Sequence, residues 1–378
     1  MIPLLRLPKP ALNIVLRNMT TMNQFILSLH YKCFKSQMKC LTTGPNPKFN
    51  IVVREVFYMY ITGPDYSDLD FIFYKENENG SFSRGEGEPK RTFTENDPLT
   101  VRSILDKRGL RIIAQKSARQ WISLIMEVFN LKKIERLHYQ TDDYCFESVR
   151  EMLKGIPLEF LEVTGDEPLR NYKEVLRAVP PCSHLVQRTN PGEKIRSVLL
   201  QNFESMELFF PLDFSDVLSI NSRFTRFSGA KLTMKNLNAF LKLWRKGCNP
   251  NVKHFATYSV PVLDGSDYVT NVLKGIPHQN IPDTVERSFL KLPFSLPIKY
   301  EKIQGGYDIK RMTDGQMATV KLDYWYKETS SKPLLSIGDY LNDAEFYRPN
   351  FDQCVCLGLI ICVFSFFFDF QKNYCQNE

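Results

Sequence analysis

The feature that most constrains this chain is a leucine that recurs at 24-residue intervals after residue 131. Leu137, Leu161 and Leu185 each end a short β-prone run, IERL, LEFL and CSHL. The stretches between them, 145–154 and 172–179, have the apolar spacing of helices. A strand–helix period in the low twenties is typical of leucine-rich repeats, in which each unit buries its apolar side only by stacking on its neighbours.

The repeat continues less regularly along the chain. Three further β-prone runs occupy 203–208, 223–227 and 252–255, and the pattern shows no asparagine ladder. Two folds fit this strand–helix alternation. We predict a degenerate, leucine-rich-repeat-like β/α solenoid, and the alternative is a compact, doubly wound sheet.

Charge is distributed unevenly between the N-terminus and the rest of the chain. The 378 residues hold 49 Lys and Arg against 42 Asp and Glu, a net charge of +7. Residues 1–54 carry eight basic side chains and no acidic one, so the remaining residues have a net charge of −1. The main body therefore gives no net-charge reason to expect a nucleic-acid partner.

The N-terminus has the pattern of a small three-helix module. Leu12, Val15, Leu16 and Met19 have the i, i+3, i+4, i+7 spacing of one helix face, just after two prolines. Thr21 and Gln24 have the spacing of a capping box that begins a second helix, and 31–38 would form a third. The apolar face of the first helix either packs on the chain itself or docks on a partner.

These residues carry a resemblance to a known family. The run Leu4-Leu5-Arg6-Leu7-Pro8 and the helix faces that follow resemble the F-box of the large nematode F-box protein family. The resemblance implies binding to the Skp-type adaptor of a cullin-containing ubiquitin ligase. The residues implied in adaptor binding are Leu7, Pro8, Leu12, Val15, Leu16 and Met19. An excess of basic residues here would speed association with an acidic adaptor.

The segment 43–130 is predicted to begin with a β meander and to end in a linking helix. A turn-rich break at 43–48 precedes β-branched and aromatic runs at 49–53, 56–61 and 70–75. The helix follows, with its apolar side chains at helical spacing. These side chains are Ala118, Trp121, Ile122, Ile125, Met126 and Phe129.

A second resemblance covers about 193–258. The ordered positions Phe203, Asp213, Asn221, Trp244 and Asn249, with the residues between them, resemble the type-2 F-box-associated domain of the same family. The resemblance implies that the C-terminal region holds a protein target. Without the resemblance, a structural role alone accounts for the residue pattern of this segment. Thr233 can cap a helix that buries Leu237, Phe240, Leu241 and Trp244.

Target contacts would come from charged strand residues that face solvent, by analogy with the concave surfaces of solenoids. The candidates are Glu159, Glu162, Glu207, Arg223 and Arg226. Each of them is also explained as an ordinary solvated charge.

The C-terminal part is predicted to be irregular over 261–290 and then to form a hairpin. The hairpin strands would lie at 306–311 and 317–326, joined by a turn that contains Asp314 and Gly315. We expect this hairpin to close the solenoid.

Catalytic and metal-binding patterns are not found in the sequence. The five histidines have no metal or triad spacing. His138 follows its repeat leucine whereas His184 precedes its own, so we expect the two on different faces. Nine scattered cysteines and the lack of a secretory signal fit free thiols in a reducing compartment. We therefore predict a protein that is not an enzyme, has no cofactor or metal, and is cytoplasmic or nuclear.

The tail is unusual because 354–368 is an uncharged apolar run of 15 residues. As a helix it would span about 22 Å, less than the ~30 Å hydrocarbon core of a bilayer. Three interpretations remain: a short tail anchor, an element buried on this chain or on a partner, or sequence from an incorrect gene prediction. We favour the last, since the resembled family members lack such a tail, and we regard membrane association as unlikely.

The predicted fold class is α+β in several parts. The predicted divisions are an F-box (1–42), a meander and linking helix (43–130), the repeat region (131–260), an irregular segment and hairpin (261–345), and the tail (346–378). The predicted function is the substrate receptor of an Skp–cullin–F-box ubiquitin ligase, with an unidentified protein target. The alternative is a repeat-based interaction module outside any ligase.

Overall fold

The structure is a computed structural model in which the chain divides into two compact units, Met1–Lys194 and Ile195–Glu378. The described residues are 4–31, 34–35, 47–54, 57–62, 69–73, 99–103, 109–112, 116–140, 144–164, 175–176, 179, 181–188, 196–228, 232–261, 268–290, 300–325 and 356–363. Helices and strands occur in both units, so the fold is mixed α/β.

The helices of the described residues follow a short 3₁₀ turn at Leu4–Arg6. They are α1 (Lys9–Arg17), α2 (Thr21–His30), α3 (Ala118–Val128), α4 (Phe146–Leu153), α5 (Arg196–Leu199), α6 (Phe214–Leu218), α7 (Met234–Arg245) and α8 (Tyr268–Leu273). Of the predicted third N-terminal helix, Phe34 and Lys35 are helical and most of the rest lies outside the described residues.

The strands of the first unit are β1 (Lys48–Val53), β2 (Phe57–Thr62), β3 (Leu69–Phe73), β4 (Leu99–Ser103), β5 (Gly109–Ile112), β6 (Ile134–Tyr139), β7 (Leu158–Val163) and β8 (His184–Gln187). Strands β1 to β3 form the predicted antiparallel meander, and β4 and β5, which were not predicted, extend it. Strand β1 pairs in parallel with β6, which continues in parallel to β7 and β8.

The repeat leucines lie in one row across these parallel strands. Leu137 is the register partner of Leu161, and Leu161 is the partner of Leu185. All three side chains are buried. The row continues through Ile51 of β1, so the 24-residue period aligns one apolar side of the sheet. This confirms the predicted strand positions, while the curvature of a solenoid stays a prediction.

The strands of the second unit are β9 (Ser205–Leu208), β10 (Phe224–Ser228), β11 (His254–Pro261), β12 (His278–Leu290), β13 (Tyr300–Lys310), β14 (Met317–Trp325) and β15 (Cys356–Val363). Strands β9, β10 and β11 are parallel neighbours. On the far side of β11 the sheet becomes antiparallel, in the order β15, β14, β13, β12.

Capping residues explain where the two longest helices begin. The Ser117 hydroxyl oxygen accepts a hydrogen bond from the backbone N–H of Gln120 at the start of α3, and the Gln120 side-chain oxygen accepts one from the backbone N–H of Ser117. The predicted cap Thr233 makes the same reciprocal arrangement with Asn236 at the start of α7. Each such cap contributes on the order of 1 kcal/mol by satisfying backbone N–H groups that the helix leaves unpaired.

An asparagine ladder crosses the three parallel strands of the second unit, contrary to the sequence-based expectation. Asn221 Nδ2 donates to Asn202 Oδ1 at 2.5 Å, and Asn251 Nδ2 donates to Asn221 Oδ1 at 2.9 Å. Each asparagine lies three residues before its strand. The spacing along the chain is irregular because the long helix α7 lengthens one repeat, so the ladder is not periodic in the sequence.

The prediction that 261–290 is irregular is wrong. Within the described residues this segment contains α8 and the 13-residue strand β12. The register of β12 against β13 shifts between Ile281 and Glu286, beside Pro282. Proline lacks the N–H group that a ladder requires, and this break in the alternation hides the strand in the sequence.

The hairpin is confirmed, with β13 and β14 paired antiparallel from Lys310 and Met317. Arg311 stabilises its turn by donating to both carboxylate oxygens of Asp314, at 2.9 and 2.5 Å. Gly315 has a φ of +74°, which glycine adopts without steric cost.

The tail contributes a strand to the second unit. Backbone pairing places β15 between β11 and β14, antiparallel to both. This is the arrangement that the second interpretation of the tail predicts, an element built into the chain itself. None of the described helices combines the length and the apolar character that crossing a bilayer requires.

Candidate protein-binding surfaces

Helix α1 turns most of its predicted adaptor-binding residues towards the chain itself. Leu12 and Leu16 are buried and form a cluster with Phe34. Leu7, Val15 and Met19 are half-buried, and Pro8 is exposed. Leu12 and Leu16 thus form the interior of the helical module in this structure, and adaptor binding by the six residues stays a prediction.

The exposed apolar side chain on α1 is one that the sequence pattern passed over. Ile14 is 63% exposed, and it lies on the opposite side of the helix from the stripe that contains Leu12 and Leu16. The first and last residues of α1, Lys9 and Arg17, are basic and exposed. Periodicity identifies the stripe that is buried, so an isolated apolar residue on the other side gives no periodic signal.

The N-terminal helices are packed onto the rest of the first unit. Gln24 of α2 donates to the backbone oxygens of Leu16 and Met19 at 2.7 and 3.2 Å, closing the end of α1. Phe25 is fully buried against Phe71 of β3, with ring centroids 4.9 Å apart. Since Phe71 lies in the same row as the repeat leucines, α2 covers the leucine side of the sheet.

The opposite side of this sheet is polar, and we call it the first strand face. Side chains alternate along a strand, so residues one position from the repeat leucines point away from them. The first strand face comprises Arg54, Arg136, His138, Gln140, Phe160, Glu162, Thr164, His184 and Arg188, on or just after β1, β6, β7 and β8.

Glu162 lies at the centre of this face between two arginines. Arg136 Nη1 donates to one carboxylate oxygen at 2.8 Å, and Arg188 Nε donates to the other at 3.0 Å. Glu162 is only 7% exposed. Burial alone would raise the pKa of its carboxyl, but His138, which is charged only at acidic pH, and the two arginines outweigh burial and lower it.

His138 lies beside this charge cluster and is uncharged at neutral pH. Its Nε2 is 2.8 Å from Thr164 Oγ1 and 3.1 Å from the side-chain amide of Gln140. Burial lowers the pKa of His138 to about 4; the negative charge of Glu162 opposes the shift, and the nearby arginines reinforce it. His138 therefore contributes hydrogen bonding rather than charge to the face.

Aromatic rings complete the first strand face. Phe160 lies between the guanidinium of Arg136, 5.4 Å from its centroid, and the ring of His184, stacked at 4.3 Å. Tyr58 and Tyr60 of β2 lie on the same side of the sheet and are half-buried, with centroids 6.1 Å apart.

The parallel strands of the second unit have a similar face, which we call the second strand face. It comprises Ser205, Glu207, Phe224, Arg226, His254 and Ala256. On this face Arg226 pairs with Glu207. Arg226 Nη1 donates to Glu207 Oε1 at 3.2 Å, and Glu207 is buried.

His254 is buried in the second strand face. Neither ring nitrogen has a hydrogen-bond partner in the described part of the chain. Burial, and then the charge of Arg226, lowers the pKa of His254 to about 4. The ring is therefore neutral at physiological pH, and its burial costs stability because its polar atoms lose water.

The five residues predicted to contact a target fall into two groups. Glu162, Glu207 and Arg226 lie on the strand faces, although the two glutamates are buried rather than facing solvent. Glu159 and Arg223 lie at strand starts. Glu159 is on the leucine side and pairs with Lys133, and Arg223 pairs with Glu204 at 2.8 Å.

The expectation that His138 and His184 lie on different faces is also wrong. One follows and the other precedes a repeat leucine, so alternation turns both away from the leucine row. Across the described residues, no three His, Cys, Asp or Glu side chains are grouped as a metal site would require.

A polar cluster in the hairpin region was not predicted. Arg287 Nη1 of β12 donates to Asp308 Oδ1 at 2.7 Å and to Thr319 Oγ1 at 2.9 Å, and Thr319 donates to the same carboxylate. These three residues lie on three different strands, β12, β13 and β14, so no local spacing in the sequence links them.

Comparison with known proteins identifies one segment. Residues 194–257 match the family model described as F-box associated, close to the predicted bounds of 193–258. No curated protein matches the chain. A solved structure of Thermococcus litoralis Delta(1)-pyrroline-2-carboxylate reductase, in complex with NADH and L-proline, shares 10% identity over 59% of this chain and 71% of that one. Its TM-score of 0.17 supports no conclusion. The segment that holds the asparagine ladder and the second strand face is thus similar to F-box-associated domains.

Proposed function

We propose that this protein is the substrate-recognition subunit of an Skp–cullin–F-box ubiquitin ligase. The observation that supports it is the match of 194–257 to the F-box-associated family, downstream of an N-terminal helical module that resembles an F-box. In this proposal the N-terminal module binds an Skp-type adaptor, and the strand faces hold a target protein for ubiquitin transfer by other subunits. The chain itself catalyses no reaction.

In this proposal the exposed side of α1 would meet the adaptor. Ile14 is an exposed large apolar side chain of this helix, and Arg6, Lys9 and Arg17 are exposed on the helix or just before it. An acidic adaptor would be attracted to this basic surface, which increases the association rate more than the affinity. Leu12 and Leu16 would support the surface from inside the module.

The test is complex formation with a co-expressed Skp-type adaptor, measured by size-exclusion chromatography and by titration. We expect a 1:1 complex that Ile14→Asp weakens at least tenfold, equivalent to about 1.4 kcal/mol. Leu200→Asp is the matched control, since Leu200 lies in the second unit and is 65% exposed. Separate elution of the wild-type protein and the adaptor would refute the proposal.

The second candidate function is a protein-interaction module outside any ligase. Burial of Leu12 and Leu16 within the chain favours it, because a helical cap packed on its own sheet needs no adaptor. Deleting 1–42 would expose Phe71, against which Phe25 packs, so deletion is not a clean test. Ile14→Asp avoids this problem: a target bound equally well by wild type and variant, without adaptor in the complex, favours the second function.

A further inference from the structure

We infer that the first strand face binds an acidic, extended segment of a partner protein, with carboxylate side chains recognised by Arg136 and Arg188. The inference deepens the proposed function, because it names the kind of target segment that a substrate receptor of this shape would hold.

The two arginines of the first strand face that would bind the ligand are accessible to solvent. The leucine side of the sheet is covered by α2, where Phe25 packs on Phe71. On the polar side, the side chains of Arg136 and Arg188 are 28% and 39% exposed. The shared carboxylate of Glu162 holds both guanidinium groups in place. A ligand would therefore meet two partly exposed arginines that are already ordered.

Charge on this face favours an anionic ligand. Arg54, Arg136 and Arg188 carry three positive charges, whereas Glu162 carries one negative charge. His138 adds none at neutral pH because it is in its uncharged form. At the start of β1, Lys48 is 3.6 Å from Glu135, which balances it. The described side chains of β1, β6, β7 and β8 therefore give +2, and Asp70 of β3, the register partner of Tyr60 on the same side of the sheet, reduces the sum to +1.

The geometry suits a carboxylate ligand. Guanidinium groups present N–H donors that match carboxylate oxygens. Arg136 and Arg188 each already donate a hydrogen bond to the carboxylate of Glu162, from the strands on either side of it. Two strand spacings separate β6 from β8, roughly 10 Å. An extended peptide covers this distance in about three residues, so we expect acidic residues two to four positions apart.

Tyrosines beside the arginines favour a protein ligand. Tyr58 and Tyr60 are half-buried on the same side of the sheet. Tyrosine and arginine are the residue types that most often dominate the binding energy of protein interfaces. A nucleic acid is disfavoured by the ionised carboxylate of Glu162 at the centre of the face and by the net charge of −1 outside 1–54.

The experiment uses the full-length protein and fluorescein-labelled 12-residue peptides read by fluorescence anisotropy. The probe carries glutamates two to four positions apart in a Gly-Ser background, and matched peptides carry glutamine or phosphoserine instead. We expect the glutamate peptide to bind with a Kd below 1 mM, at least tenfold tighter than the glutamine peptide and no weaker than the phosphoserine peptide.

The variant is Arg188→Gln, which leaves Glu162 paired with Arg136 and therefore keeps the sheet intact. We expect at least fivefold weaker binding of the glutamate peptide, with an unchanged melting temperature. Arg223→Gln is the control, because Arg223 is an exposed, paired arginine in the second unit. Arg188→Lys keeps the charge but loses the fork of donors, so it should bind more weakly than wild type and better than Arg188→Gln.

Three outcomes overturn the inference. The glutamate peptide does not bind; Arg188→Gln and Arg223→Gln weaken its binding equally; or the phosphoserine peptide or a polynucleotide binds more tightly than the glutamate peptide. The adaptor complex is measured in parallel. If Arg188→Gln weakens peptide binding while no adaptor complex forms, the surface stands and the ligase proposal fails. If the adaptor binds and the peptide does not, the ligase proposal stands and the binding surface fails.

Discussion

The two strand faces place a glutamate at the same position of the repeat and give it different surroundings. In the first unit Glu162 follows the repeat residue Leu161 and is shared by one arginine on each neighbouring strand. In the second unit Glu207 follows Met206 and pairs with Arg226 of the neighbouring strand. One face thus keeps an excess of positive charge, whereas the other is balanced. This difference in charge is the basis on which we infer a ligand for the first strand face and none for the second.

The histidines extend the comparison. His138 on the first face has hydrogen-bond partners in Thr164 and Gln140, whereas no described residue hydrogen-bonds the ring nitrogens of His254 on the second face. Both are neutral at physiological pH because burial lowers the pKa of each to about 4. His138 is therefore hydrogen-bonded in the first face, whereas the burial of His254 in the second face lowers the stability of the fold.

Acidification is the largest expected perturbation, and it should act through His254. Its pKa is about 4 in the folded state and about 6.5 in the unfolded chain, so the unfolded state takes up the proton first. The titration of His254 therefore leaves stability unchanged above about pH 6.5 and destabilises the folded state as the pH falls towards 4. By pH 5 we expect a loss of about 2 kcal/mol from this residue.

Urea unfolding at pH 7 and pH 5 tests this expectation with the variant His254→Phe. The variant should lose less stability than the wild type over this interval, because the substituted ring cannot bind a proton. His138→Gln makes the same test on the first face, where burial also lowers the pKa. An unchanged pH dependence in His254→Phe would contradict the burial of a neutral imidazole.

Removing the shared acid should cost more than removing the paired one. Glu162→Ala leaves two partly buried arginines without their carboxylate, and we expect a loss of roughly 2 kcal/mol in the free energy of unfolding. Glu207→Ala leaves one, so the loss should be about 1 kcal/mol. Chemical denaturation of both variants at pH 7 provides the measurement. Equal losses would show that the two faces are energetically equivalent.

The helix caps give a smaller and symmetrical effect in the two units. Ser117→Ala removes the reciprocal cap of α3, and Thr233→Ala removes that of α7. Each should lower the free energy of unfolding by about 1 kcal/mol, because backbone N–H groups at the helix start lose their acceptor. Thermal unfolding by circular dichroism measures both. A clearly larger loss for one variant would mean that its helix depends more on local capping than on packing.

The smallest effect is expected at the strand starts. Arg223 pairs with Glu204 at an exposed position, so Arg223→Ala should change the free energy of unfolding by less than about 0.5 kcal/mol. Arg226→Ala, on the strand face beside it, should cost more because Glu207 is buried. If urea unfolding gives the same loss of stability for Arg223→Ala and Arg226→Ala, then the strand-face position contributes no more to stability than the strand-start position.

Local patterns in the sequence predicted much of the fold. The spacing of Leu137, Leu161 and Leu185 placed three strands in register, and the meander, the cap at Thr233 and the hairpin turn at Gly315 were also predicted correctly. All of these features depend on residues close to one another in the chain or on a regular period. The resemblance of about 193–258 to an F-box-associated domain agrees with the family match.

Features that depend on distant residues were missed or misassigned. The strand β12 was hidden by its irregular pairing near Pro282, and the asparagine ladder by unequal repeat lengths. Glu162 and Glu207 were expected to face solvent because charge in a strand normally indicates exposure. Arginines one repeat away made their burial possible.

The sequence by itself determined the period, and therefore which side of each parallel strand is apolar, because alternation along a strand is a local geometric rule. Only the tertiary structure decided which charges meet on the polar side, that Ile14 rather than Leu16 is exposed on α1, and that β15 lies between β11 and β14. The physical reason is that burial and pairing arise between segments far apart in the chain, and a one-dimensional pattern contains no information on their distance.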